Sequence, residues 1–160
     1  MKLERTHDMD LVASIMRHPA IWPHVHDDGA EDWQPVDHDG IFWMLVTRDN
    51  GEVGGVFMVH ATNSYCYEMH TCLLPETWGD QAARAAQLLA GWVFRETPSQ
   101  KLVTNVPIYN RPARRFAIAG GMQQEGINRA SFMRNGVMID QIMLGITKQE
   151  WITCQQQSQS

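Results

Sequence analysis

The sequence has few cysteines and no surplus of positive charge. Its 160 residues include three cysteines, Cys66, Cys72 and Cys154, and the formal net charge is −5. An odd number of cysteines without a CxxC pair is a poor disulfide framework, so we expect reduced thiols and a cytoplasmic protein. A sequence-independent nucleic-acid binder needs a basic face, and the net negative charge therefore argues against that class.

Long apolar runs are also missing. Charged residues or glycines interrupt every hydrophobic stretch before it reaches the length of a membrane span, so we expect no membrane segment. The opening stretch MKLERTHDMD lacks the apolar core of a signal peptide, and we expect no secretion signal. The chain does contain 44% hydrophobic residues, which is enough for one sizeable core.

The hydrophobic pattern predicts an α+β fold. Helical spacing favours helices over 11–16 and 79–94 and a third that Asn110 caps, and β-rich runs favour strands at 2–5, 41–47, 52–61, 65–74, 101–109, 122–131 and 137–147. A helix separates the strand at 65–74 from the strand at 101–109. We therefore expect those two to pair in parallel within an otherwise antiparallel sheet. The prediction is one domain over 1–152 and a disordered polar tail over 153–160.

Turn residues divide this pattern. Asp49-Asn50-Gly51 and Arg134-Asn135-Gly136 predict tight hairpins between neighbouring strands. Gly54-Gly55 lies inside a strand and indicates a bulge or a close backbone approach.

The stretch 19–40 is rich in turns and acidic residues, and we expect a long loop with one short helix. His24 and His26 are spaced to place both rings on one side of a strand, but a loop without a third fixed ligand favours solvated side chains. The sequence therefore predicts no metal site here or elsewhere.

The stretch from Glu68 to Trp92 combines a strand, a proline turn, a Trp-Gly corner and a long Ala/Leu helix. Free backbone N–H groups and the helix dipole favour an anion at such a corner. His70 shares a strand face with Glu68, and a histidine is the easiest base near neutral pH. Each also has a plainer interpretation, as an ordinary strand carboxylate and a satisfied, half-buried histidine.

Three motifs carry a resemblance to a known family. The first is the run EMHTCLLPETWG at 68–79, and the second is the helix pattern Asn110, Ala113, Phe116 and Gly121. The third consists of Glu125-Gly126, Arg129, Gly136, Asp140 and Glu150-Trp151. Over roughly 41–151 the chain resembles the GNAT N-acetyltransferase superfamily. It is most similar to the branch that acts on ribosomal-protein N-termini, and the Leu-Leu-Pro variant resembles a phage-encoded subgroup.

The resemblance implies a mixed, mostly antiparallel sheet with a central splayed parallel pair, flanked by helices. It also implies an acetyl-CoA-dependent N-acetyltransferase with an unidentified amine acceptor, as a monomer or homodimer. The residues that would contact the coenzyme are Cys72, Leu73, Leu74, Gly79, Asp80, Gln81, Ala82, Ala83, Arg84, Asn110 and Arg114. Arg111 and Arg115 lie beside Arg114 and would meet further phosphates. Trp22 and Trp33 would wall the acceptor pocket.

The resemblance also implies catalytic roles. Glu68 matches the general base, and Tyr109 is the hydroxyl closest to the place where the family has a tyrosine acid, which Phe116 and Ala117 occupy here. The plainer interpretations are that Tyr109 is an aromatic residue of the core at a strand end and that Asn110 caps its helix.

The chain departs from the family in the phosphate loop. Gln81 replaces a glycine there, and Asp80 stands where a cation is common, with Arg84 as the residue that would offset it. The alternative function is therefore a GNAT-fold binding or assembly protein without catalysis, associated with a virion in the phage interpretation.

Overall fold

Seven strands form a single mixed sheet in the computed structural model, which describes residues 1–157. In chain order the elements are β1 (Lys2–Arg5), α1 (Met9–Met16), α2 (Trp22–Val25), β2 (Ile41–Thr47), β3 (Val53–Asn63), β4 (Cys66–Leu73), α3 (Asp80–Glu96), β5 (Lys101–Pro107), α4 (Arg111–Ala119), β6 (Gln123–Arg134), β7 (Val137–Thr147) and α5 (Lys148–Gln157). The strand order is β1-β2-β3-β4-β5-β7-β6, and among the strands of the described residues only β4 and β5 run parallel. The predicted α+β class and its parallel pair are confirmed.

Successive residues of the strands face opposite layers, because side chains alternate along a strand. On one face, Phe57 of β3 packs with Leu89 and Phe94 of α3 in the larger core. On the other face, Trp43 of β2 packs with Val12 of α1 in a smaller core. Helices α3 and α1 therefore cover opposite faces of the sheet.

The glycine pair in β3 has the close backbone approach that the sequence predicts. The register between β2 and β3 shifts after Val46, which leaves Gly54 as the extra residue of a bulge. Gly55 has φ +137°, and a Cβ atom there would lie 2.4 Å from the Cys72 carbonyl oxygen. Only glycine fits at this contact between β3 and β4.

The C-terminal stretch differs from the prediction. Residues 153–157 belong to α5 rather than to a disordered tail, and 158–160 lie outside the described residues. Thr147 and Glu150 form a capping box, since the Thr147 N–H donates to Glu150 Oε2 (2.8 Å) and the Glu150 N–H donates to Thr147 Oγ1 (3.2 Å). Trp151 packs against Phe94 with 5.7 Å between ring centroids, which attaches the helix to the core.

The loop over 19–40 is fastened to the β6–β7 hairpin. The Asp28 N–H donates to the Met133 carbonyl (2.9 Å), and the Asp28 carboxylate accepts from the N–H groups of Asn135 (3.0 Å) and Gly136 (2.7 Å). These charge-assisted bonds connect segments more than a hundred residues apart in sequence. As predicted, the loop contains one short helix, α2. Within 1–157, no helix has both the length and the apolar character needed to cross a membrane.

Candidate active site

The parallel strands β4 and β5 separate in the middle of the sheet. Their pairing covers Cys66 with Lys101, Tyr67 with Leu102 and Glu68 with Val103, and ends there. Beyond Glu68, β4 continues to pair with β3 and β5 with β7. A wedge therefore opens between the two strands, and within residues 1–157 one edge of β4 over 69–73 has no strand beside it.

Glu68 lies at the point where the wedge begins. Its side chain is 17% exposed, and its Oε1 accepts a hydrogen bond of 2.9 Å from Asn105 Nδ2 on β5. Asn105 is two residues beyond Val103, so it lies on the same face of the sheet at the next step along β5. The other polar atom of the amide, Asn105 Oδ1, is buried without a protein partner. A half-buried carboxylate is thus held in one orientation at the mouth of the wedge.

Two histidines stand beside this carboxylate. His60 on β3 is paired in register with Glu68, and its ring stacks on His70 with 5.5 Å between centroids. The two Nε2 atoms are 3.3 Å apart, and His70 Nε2 lies 3.8 Å from Glu68 Oε1. Burial lowers the pKa of His70, an effect that Glu68 opposes and His60 reinforces. His70 is therefore neutral near pH 7 and able to accept a proton.

The structure confirms that His70 shares a face with Glu68, as the spacing along β4 predicts. His60 is a site residue that the sequence analysis missed. The hairpin between β3 and β4 turns around residues 63–65 and thereby places His60 opposite Glu68. That turn is the sequence signal that would have placed His60 at the site.

The corner after β4 has the backbone that the sequence predicts. Gly79 adopts φ +77° before the first turn of α3, and no side chain caps this helix. The first N–H groups of a helix have no partner within it, so they are available to an anion at this corner. Asp80 and Gln81 are exposed there, Ala82 is buried against the sheet and Ala83 is half-buried.

Arg84 does not offset Asp80 as the sequence analysis expects. Its Nη1 donates a hydrogen bond of 2.9 Å to Asp49 Oδ2 in the β2–β3 turn. The Asp49 carboxylate also holds the N-terminal amine. A residue 35 positions away in sequence therefore neutralises Arg84, and Asp80 contributes a negative charge close to the helix N-terminus.

The end of β4 is the predicted place for the coenzyme's amide arm, and part of its backbone already has partners. The Leu73 carbonyl accepts from the Trp78 indole Nε1 (2.9 Å), and the Leu74 N–H donates to the Gly54 carbonyl (3.0 Å). Burial raises the pKa of the Cys72 thiol to about 12, so this thiol stays protonated. Cys72 is thus a packing residue here, and its carbonyl oxygen lies against Gly55 of β3.

Helix α4 carries the arginines of the candidate site. Asn110 caps the helix by accepting from the Ala113 N–H (3.2 Å), and Arg114 Nη2 donates to Gln124 Oε1 (2.9 Å). A cleft of about 460 Å³ is lined by Ile108, Arg111, Arg114, Arg115 and Ile118. The three arginines expected to meet phosphates therefore surround one open, positively charged cleft.

Tyr109 is not an aromatic residue of the core. It is 38% exposed just beyond the end of β5, and the Arg134 guanidinium lies over its ring at 5.5 Å from the centroid. Partial burial raises the pKa of Tyr109 while Arg134 opposes that change, so the phenol is protonated at neutral pH. Within residues 1–157, no hydrogen bond or ring contact joins Tyr109 to Glu68.

His26 of the long loop is engaged in local packing. The ring of His26 stacks on Trp22 (4.5 Å between centroids), with Arg17 over the same indole at 4.7 Å, and Trp33 packs against Trp43. No three-ligand group in the described part of the chain includes His24 or His26. Trp22 and Trp33 therefore stabilise the loop itself.

Comparisons with known proteins place the fold. No protein-family model matches the chain, and no curated protein matches it. Among solved structures, a chimera of spermidine N-acetyltransferase SpeG from Vibrio cholerae with hSSAT is similar with a TM-score of 0.79 at 14% identity, covering 94% of this chain and 97% of that one. The Vibrio cholerae enzyme in complex with CoA and spermine gives a TM-score of 0.75 at 14% identity, again covering 94% and 97%. A putative phosphinothricin N-acetyltransferase gives 0.72 at 13% identity, covering 91% and 97%.

The likeness extends over nearly the whole length of both chains, while only 13–14% of the residues are identical in these three structures. It agrees with the seven-stranded sheet and its diverging parallel pair. The chain has the fold of the GNAT acetyltransferases.

Proposed function

We propose that the chain is an acetyl-CoA-dependent N-acetyltransferase whose reaction takes place at the mouth of the β4–β5 wedge. The observation that carries the proposal is the end of parallel pairing at Glu68, with a half-buried carboxylate fixed at that point by Asn105. Beyond it, apart from the Leu73 carbonyl that already accepts from Trp78, the backbone groups on the free edge of β4 over 69–73 need partners. An extended amide-containing ligand can supply them as an added strand would.

The residues around the wedge fit such a coenzyme. The edge of β4 up to Leu73 would pair with its amide arm, and the N–H groups after Gly79 would meet its pyrophosphate. The arginines of the α4 cleft, among them Arg114, would meet a further phosphate. Asp80 opposes the pyrophosphate by about 1 kcal/mol in partly exposed surroundings. We therefore expect weaker coenzyme binding than a corner with glycine and a cation would give.

The chemistry follows from the groups beside the wedge. When bound, the coenzyme supplies an acetyl thioester, and the protein must hold the amine and remove its proton. Glu68 is the proposed general base because Asn105 fixes its carboxylate while it keeps a route to solvent. His70 is neutral and next to it, so a proton taken by Glu68 can pass on to the imidazole. Tyr109, protonated at neutral pH, is the proposed donor to the leaving thiolate.

The acceptor is an amine, and two classes have support. The C-terminal motif resembles the branch that acts on ribosomal-protein N-termini, which favours the α-amine of a peptide. The similar Vibrio cholerae enzyme was solved with spermine, which favours a polyamine. Acidic groups of the 19–40 loop suit either cation, and three of them, Asp27, Glu31 and Asp32, are exposed. A panel with one acceptor of each class distinguishes them.

Calorimetric titration with acetyl-CoA tests the proposal, followed by thiol release with spermidine and with a short peptide that has a free N-terminus. We expect one coenzyme per chain and acetyl transfer to one of the two amines. Absence of heat at millimolar coenzyme would overturn the enzyme proposal. That result would support the alternative, a GNAT-fold binding or assembly protein, including the virion-associated form that the phage resemblance implies.

A further inference from the structure

A histidine pair and a carboxylate converge on the open face of β3 and β4. The possible ligand atoms of His60, Glu68 and His70 all lie within 4.8 Å of one another. His60 and Glu68 are register partners, and His70 is the next residue on the same face of β4. All three are half-buried and lie on paired strands, so the backbone fixes their separations.

The separation of the two histidine nitrogens matches that of ligands around one small ion. Nitrogen ligands at about 2.0–2.1 Å from a tetrahedral zinc ion lie about 3.3–3.4 Å from each other. The two Nε2 atoms are 3.3 Å apart. His70 Nε2 and Glu68 Oε1 are 3.8 Å apart, and the ligand atoms of His60 and Glu68 lie within 4.8 Å, so the Glu68 carboxylate has to move toward the two histidines by up to about 1.5 Å to complete the set.

Neighbouring groups orient two of the three ligands. Asn105 Nδ2 donates to Glu68 Oε1, which holds the carboxylate toward the histidines. His60 Nδ1 lies 3.4 Å from the Ala61 carbonyl, and a proton on Nδ1 facing that oxygen leaves the Nε2 lone pair free. Such outer partners are a usual part of histidine metal sites, because they fix the tautomer and the ring orientation. The His70 side chain is 42% exposed, which gives an ion a route from solvent.

We propose that His60, Glu68 and His70 bind one divalent transition-metal ion, with zinc as the best fit, and leave a fourth position open. Two imidazoles and one carboxylate are a ligand set typical of zinc sites with an open position. Magnesium and calcium prefer oxygen ligands throughout, so this pair of nitrogens selects against them.

The site stands on geometry alone, but its consequence for catalysis rests on the proposed function. An ion at this position would take the Glu68 lone pair that the amine's proton needs. Zinc loading is therefore expected to inhibit acetyl transfer, and a chelator to restore it. Metal binding is measured without coenzyme or acceptor, so a failure of the acetyltransferase proposal would not affect that result.

The test uses the full chain freed of metal by a chelator. Zinc is titrated in competition with a chromogenic chelator, and Co²⁺ is added separately to record the visible bands of tetrahedral cobalt. We expect one equivalent of tight zinc binding and a tetrahedral cobalt spectrum. His60→Ala and His70→Ala should each weaken zinc binding at least about tenfold and abolish that spectrum. Asn105→Ala should weaken binding by a smaller factor, because it only positions Glu68.

The double variant His24→Ala/His26→Ala is the matched control, since it also removes two histidines but leaves the strand cluster intact. It should keep the zinc affinity and the cobalt spectrum. His60→Asn and His70→Asn replace the alanine variants wherever circular dichroism shows a loss of folding. Absence of stoichiometric zinc binding, or an equal loss in the loop control, would overturn the proposal. A cobalt spectrum that survives substitution of His60 or His70 would overturn it equally.

Discussion

The two halves of β4 differ in what lies beside them. Over Cys66–Glu68 the strand has β3 on one side and β5 on the other, whereas over 69–73 it has β3 alone. The first half is therefore closed by backbone hydrogen bonds, and the second is open to a ligand along one edge. Glu68 lies at the boundary. The paired strands of the closed half fix its side chain, and the open half leaves it accessible to a ligand.

One strand, β4, thus combines the fixed carboxylate of Glu68 with a backbone edge that, in the described part of the chain, has no neighbouring strand over 69–73. The rigidity comes from contacts across the sheet, with Asn105 on β5 and His60 on β3. The open half continues to the corner at Gly79, where the exposed Asp80 begins α3. Substitutions at Glu68 and at Asp80 therefore test the two ends of the open half independently.

Removing the carboxylate at the boundary should have the largest effect. Glu68→Gln is expected to lower turnover about 10²–10⁴-fold, because the amide accepts no proton, while coenzyme affinity stays within about twofold. Thiol release and calorimetry on the same preparation measure both quantities. Glu96→Gln, at the exposed end of α3, is the matched control and should leave both unchanged. Unchanged turnover in Glu68→Gln would remove this residue from the role of base.

Adding a side chain at Gly55, where β3 lies close to β4, should have the next largest effect. Gly55→Ala is expected to lower the free energy of unfolding by about 3 kcal/mol or more, since φ +137° is strained for alanine and the Cβ meets the Cys72 carbonyl oxygen at 2.4 Å. Gly51→Ala is the control, with φ +84° and open space around the Cβ, and should cost about 1 kcal/mol. Urea unfolding measures both, and equal losses would show that the close approach does not contribute.

The corner of the open half should respond more weakly. Asp80→Asn removes the negative charge at the start of α3 and is expected to tighten acetyl-CoA binding about fivefold, equivalent to about 1 kcal/mol. The gain should shrink at high salt, because an exposed charge is screened. Calorimetry at low and high ionic strength measures it, with Glu96→Gln again as the control. An affinity that Asp80→Asn leaves unchanged would place the phosphates away from this corner.

Much of the fold could be predicted because local rules decide it. The turns at 49–51 and 134–136 and the Asn110 cap are set by residues that are neighbours in sequence. The parallel pair followed from the helix between two strands. The Thr147-Lys148-Gln149-Glu150 capping box was equally visible in the sequence, but the glutamine-rich composition after it led to the wrong prediction of disorder over 153–157.

The parts of the site that the sequence did not predict depend on contacts between distant segments. Arg84 binds Asp49 rather than offsetting Asp80, because the β2–β3 turn lies beside the first turn of α3. His60 reaches Glu68 through strand register, which spacing along β4 alone does not show. Tyr109 is exposed under Arg134 because β5 ends at Pro107, before the chain reaches it.

The attachment of the long loop should give the smallest effect, and one that depends on pH. The bonds from Gly136 and Asn135, with the charges of Arg134 and His26, hold the pKa of Asp28 below its usual value although partial burial opposes them. A lowered pKa means that the folded state favours the ionised carboxylate.

The ionised Asp28 carboxylate stabilises the fold fully above its unfolded pKa. This stabilisation is lost as the pH falls through the folded pKa, which lies below 3.8. Asp28→Asn should therefore lower the melting temperature at pH 7, and the difference from wild type should shrink as the pH falls below about 3.8. Asp27→Asn, its neighbour in sequence, should show no such pH-dependent difference. A constant difference for Asp28→Asn across this range would mean that the charge of Asp28 does not contribute to the attachment.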